Sequence, residues 1–116
     1  MRFQILSQGQ VIGESDLEGG DPAMGLAFGQ FLPAEAYATV REVFRESTEA
    51  AEAKDQQALE QCCRRRDDLA LTLQDGEGRE IAVGWIEIQD FTSMLGDAAY
   101  QVEIQILEPD FFRPRA

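Results

Sequence analysis

Apolar positions recur along the chain with two different periods, and the changes between them mark out the elements. In Arg2–Leu6 the apolar Phe3 and Ile5 share one phase. The polar run Ser7-Gln8-Gly9-Gln10 follows and Val11-Ile12-Gly13 resumes the apolar character, which predicts an N-terminal hairpin. Residues 14–21 are acidic and glycine-rich and end in Asp21-Pro22, whose proline steers its predecessor away from helix, so this stretch reads as a loop. From Met24 to Phe31, Leu26 and Phe28 fall on one face and Gly25, Ala27, Gly29 and Phe31 on the other, which predicts a strand.

The period then lengthens. Pro33 suits a first helical turn and Glu35 complements the positive end of the dipole. Tyr37, Val40, Val43 and Phe44 keep helical spacing, with Arg41, Glu42, Arg45 and Glu46 opposite. The stripe thins to alanines after Ser47 and returns at Ala58, Leu59 and Cys62, so the helix either runs on or breaks near Ser47-Thr48, and it ends around Arg65. Period two resumes with Leu69, Leu71 and Leu73, the turn Asp75-Gly76-Glu77-Gly78, and a return strand over residues 79–90. There Ile81, Val83 and Trp85 hold one phase and Ile86 and Ile88 the other, and a bulge at Gly84-Trp85 reconciles them. A loop over residues 91–97 leads to Tyr100, Val102, Ile104 and Ile106, which alternate with Gln101, Glu103 and Gln105 until Glu108-Pro109. The predicted class is α+β. An antiparallel sheet, made of the N-terminal hairpin and strand plus a C-terminal three-stranded meander, packs against one long or broken amphipathic helix.

A chain of 116 residues can bury about two thirds of its unfolded surface, which supports one core and one domain over residues 1–116, with a tail from about residue 109. Phe111 and Phe112 in that tail either pack back on the domain or stand out as an anchor.

Charge narrows the partners. With 22 acidic and 10 basic residues the net charge is −12, a field that repels phosphate backbones and anionic lipid, so neither nucleic acid nor membrane is expected as a partner. The one basic cluster, Arg64-Arg65-Arg66, is cancelled at once by Asp67 and Asp68. No window is long and apolar enough to span a bilayer and residues 1–11 lack a signal-peptide pattern, so a cytoplasmic location is expected. Adjacent Cys62 and Cys63 suit a reducing compartment, one facing the core of a helix and one its surface.

The absence of His removes the commonest general base and every Ser-His or Cys-His nucleophile pair, and no phosphate-binding loop is present. Glu14, Asp16 and Glu18 imitate the front of a calcium loop, but Asp21 and Gly25 stand where its apolar and bidentate positions belong. No metal, cofactor or catalytic residue is therefore expected, and the chain reads as no enzyme. Two surfaces remain as candidates. Glu87, Asp90 and Glu103 lie on strands that can be neighbours, and residues 67–116, with eleven acids and three bases, carry −8 of the charge. Met24, Gly25, Phe28, Gly29, Phe31 and Tyr37 surround the strand-to-helix junction, where missing side chains let a ligand approach the backbone.

The segment GESDLEGGDPAMGLAFGQFLP, residues 13–33, resembles small bacterial proteins that carry G-x-S-x-L-E followed by D-P-x-M-G-x-A-x-G-x-F-x-P. The resemblance implies a bacterial origin and one structural unit from Asp21 to Pro33, and says nothing about catalysis. The leading expectation is a protein-interaction module, inhibitor-like, that binds a basic protein partner through an acidic sheet surface. The alternative is a small-molecule or peptide-binding domain with a pocket between residues 24–31 and the helix start. If the C-terminal strand is an open edge, two copies can pair along it, and repulsion at Glu103 predicts a monomer or a dimer that strengthens with salt.

Overall fold

The computed structural model describes residues 2–90 and 100–112. Strands β1 (Phe3–Ser7) and β2 (Gln10–Ser15) form the expected hairpin. Gln8 and Gly9 both take positive φ, 50° and 80°, the backbone that a two-residue turn needs to match strand twist. The acidic segment expected as a loop is partly extended, because β2 runs to Ser15 and Gly19–Asp21 forms a short strand, β3, against β4 (Leu26–Gln30). Beyond Phe31 the two-residue β5 (Leu32–Pro33) pairs back on β2, so Pro33 ends a strand and the helical region begins with a 3-10 turn at Glu35–Thr39.

The helical region is two helices, α1 (Arg41–Glu52) and α2 (Gln56–Asp68). The break lies later than Ser47-Thr48. Thr48 stays inside α1, its hydroxyl donating to the Phe44 carbonyl at 2.9 Å, whereas Lys54 turns left-handed at φ 55° and Asp55 caps α2 by accepting from the Ala58 N–H at 3.1 Å. Ala70, also at positive φ, then admits β6 (Leu71–Gln74).

The single sheet with a C-terminal meander is corrected to two antiparallel sheets, of order β5-β2-β1-β6-β7 and β3-β4-β9-β8. The return strand after the Asp75 turn is divided at Ala82: β7 (Glu80–Ile81) pairs with β6, while β8 (Val83–Asp90) crosses to pair with β9 (Tyr100–Ile106). One chain segment serving both sheets is how orthogonal layers make their corners, and the β4–β5 passage around Phe31 does the same on the opposite flank. The bulge expected at Gly84-Trp85 is present as a register shift between Val83 and Trp85, and it turns Ile86 and Ile88 inward. Ile5, Ile12, Phe31, Tyr37, Phe44, Leu73, Ile88, Val102 and Ile104 form one fully buried core drawn from both sheets and the helical region.

Strand β9 is central, between β4 and β8, so it offers no edge for a second copy and the pairing expected there loses its basis. Phe111 packs back on Phe3 with ring centroids 5.4 Å apart, and Phe112 stands edge-on to Phe111. The expected loop at 91–97 lies outside the described residues. Among those described, no helix is long and apolar enough to cross a membrane.

Candidate functional site

Pleating sends alternate residues of β4, β9 and β8 to the outer face of the four-stranded sheet, away from the core. The registers place Phe28, Glu103 and Glu87 side by side in one row, Leu26, Gln105 and Trp85 in the next, and Gln30, Gln101 and Gln89 on the other side. Leu26, Phe28, Trp85, Glu87 and Glu103 are all half-buried. Two carboxylates directly opposite on adjacent strands repel. Glu87 is relieved by an ion pair with Arg66 of α2 and by the Ser47 hydroxyl, which donates to it at 3.1 Å. Among the described residues no cation pairs with Glu103.

Beside Phe28 the face opens into a groove of about 350 Å³ lined by Glu18, Gly19, Phe28, Gly29, Gln30, Tyr100 and Gln101. Its shape depends on two glycines. A Cβ at Gly19 would strike the Phe28 ring, and one at Gly29 would strike the Glu18 carboxylate and the buried Ser15 hydroxyl. Glu18 is fixed by the Gln30 N–H, which donates to Oε1 at 2.8 Å.

The six residues expected to form a ligand groove are dispersed. Phe28 and Gly29 line this groove, Phe31 and Tyr37 are wholly in the core, and Met24 stands 65% exposed in the turn beside Gly25, whose φ is 69°. The expected acidic surface also changes membership. Asp90 is fully buried and is no part of any surface: it shares the inward phase of Ile86 and Ile88. Its Oδ2 accepts from the Tyr37 hydroxyl at 2.8 Å, its N–H donates to Thr48 Oγ1 at 3.0 Å, and Arg45 Nε lies 3.9 Å from Oδ1. Burial, and then the Asp90 carboxylate, push the Tyr37 phenol far up, so it remains a donor. Arg41 caps the group over the Tyr37 ring, 5.6 Å from its centroid.

Cys62 is buried and Cys63 exposed, both free, and burial raises the Cys62 thiol. Glu14 and Asp16 hold Arg2 between them. No group of three metal-ligating side chains occurs among the described residues. Sequence reasoning missed Glu18 and Tyr100 as groove residues, since neither lies in the segment before the helix, and missed Arg66 as the partner of Glu87, 21 residues away. A signal existed only for Tyr100, whose place in the β9 alternation fixes its strand but not its neighbour β4. Compared with known proteins, the chain matches no family model, no curated protein and no solved structure.

Proposed function

We propose that this protein is a non-enzymatic interaction module of the cytoplasm that binds a basic protein partner on the outer face of its four-stranded sheet. The observation that carries the reading is Glu103: it sits on the interior strand β9, directly opposite Glu87, and among the described residues no cation pairs with it. A like-charged pair in that position works against the sheet. A cation from a partner relieves it, and the net charge of −12 speeds encounter with a cationic surface. Trp85, Leu26 and Phe28 around it supply the half-buried aromatic and aliphatic area on which interface hot spots are built. The reading keeps Glu87 and Glu103 from the expected acidic surface and does without Asp90.

The test uses the full chain as bait in a lysate of the source organism, alongside a Glu103→Lys bait, at low and high salt. The expected result is a protein of net positive charge whose recovery falls as salt rises and is lost with Glu103→Lys, and whose lysines cross-link to carboxylates of β8 or β9. A partner indifferent to both salt and the substitution, or none at low salt, overturns the reading.

A further inference from the structure

The groove beside Phe28 lies next to Glu103 on the same sheet face. Phe28 lies directly opposite Glu103 in register, so a partner seated on Glu103 reaches the groove without leaving the row. Gly19 lets the Phe28 ring lie over it, and Gly29 lets the Glu18 carboxylate pack against the strand. Phe28, on the outer row, contributes to its lining. The Glu18 carboxylate is fixed through one oxygen by the Gln30 N–H, which leaves the second for a ligand. At about 350 Å³, the groove has room for one long side chain. It is open along its length, which suits a residue carried on a larger molecule better than a free small ligand that must be enclosed.

We infer that this groove seats an arginine side chain of the basic partner, its guanidinium stacked on Phe28 and hydrogen-bonded to Glu18. The inference rests on the proposed function and names the residue type that the face selects. Lysine is excluded by shape rather than charge. A planar guanidinium can lie against a ring and still donate edge-on to a carboxylate, whereas an ammonium is a compact, strongly hydrated point that cannot satisfy both at once.

The test titrates the full chain with two labelled peptides, one alternating glycine with arginine and one glycine with lysine, followed by fluorescence anisotropy at low salt. The arginine peptide should bind about tenfold more tightly than the lysine peptide. Glu18→Gln, at an exposed position that keeps an acceptor for Gln30, should abolish this advantage while leaving lysine-peptide affinity within about twofold. Phe28→Leu should reduce it as well, and circular dichroism checks that both variants are folded. Equal affinity for the two peptides, or an arginine advantage that survives Glu18→Gln, overturns the groove assignment. In those cases weakening of both peptides by Glu103→Gln would leave the proposed function standing, whereas binding of neither peptide by the wild-type chain would sink both.

Discussion

Asp90 and Glu103 lie on neighbouring strands of one sheet, and the pleat sends one carboxylate inside and the other out. Inside, Asp90 is held by Tyr37, with Arg45 close by and Thr48 securing its backbone. Outside, Glu103 faces water opposite a second glutamate. A buried carboxylate survives only where donors replace its hydration, so Asp90 is committed to the fold. Glu103, half-buried on the outer face, keeps contact with water and stays available. The negative charge of residues 67–116 is therefore two populations: carboxylates such as Asp75, Asp90 and Glu108 that tie elements together, and those such as Glu103 that have no hydrogen-bond or ion-pair partner among the described residues.

The sharpest way to break this contrast is to remove each carboxylate in turn. Asp90→Ala should lower stability by about 3 kcal/mol, because it strands the Tyr37 hydroxyl and leaves Arg45 without this partner. Glu103→Gln should stay within about 0.5 kcal/mol of wild type. Urea unfolding measures both, and equal effects would show that the two faces are not distinct. A milder cut is Tyr37→Phe, which keeps the ring packed against Phe31 and Phe44 but deletes the donor to Asp90, for about 1–2 kcal/mol. A loss as large as that of Asp90→Ala would mean that the hydroxyl alone sustains the buried charge.

The inner position of Asp90 is legible in the sequence, since it continues the phase of Ile86 and Ile88; its grouping with Glu87 overlooks that alternation. Its partner is not legible, because Tyr37 lies 53 positions away and no periodicity records what a phenol will meet. The same holds at larger scale. Alternation predicts β9 and the Gly84-Trp85 bulge, yet period two says nothing about which strand a strand pairs with, so the crossing at Ala82 and the central place of β9 emerge only from the assembled sheets. In the helical region the good helix formers around Lys54 hide the break, which depends on one left-handed residue and the Asp55 cap. Of the candidate site, Glu87, Glu103, Phe28 and Gly29 were within reach of pattern. Glu18 was not, because it sits between strands, where no alternation operates.

Acid provides a test of the structural carboxylates that does not rely on burial. Asp75 is held low first by the backbone N–H groups of Arg79 and Glu77, and Glu108 by the Ala82 N–H and then Arg79. A carboxyl depressed in the folded state stabilises the protein above the ordinary carboxylate range, near 4, and that contribution is lost as pH falls through the lower folded value. Thermal midpoints should thus fall on acidification below that range, and the fall should be shallower in Asp75→Asn and Glu108→Gln than in wild type. A fall as steep in both variants as in wild type would show that neither carboxylate ties the fold together through its charge.

The smallest expected effect is the most discriminating, because it separates stability from binding at a single position. In Glu103→Lys a like-charged cross-strand pair with Glu87 becomes an attractive one, worth about 0.2–1 kcal/mol in a sheet. The gain should fall at the lower end, since Arg66 already neutralises much of Glu87. The variant should therefore unfold at slightly higher urea than wild type while losing its basic partner. A carboxylate kept where its replacement strengthens the fold is a carboxylate kept for something outside the fold. If Glu103→Lys is instead less stable than wild type, the outer row supports the sheet, and the contrast between Asp90 and Glu103 is one of degree.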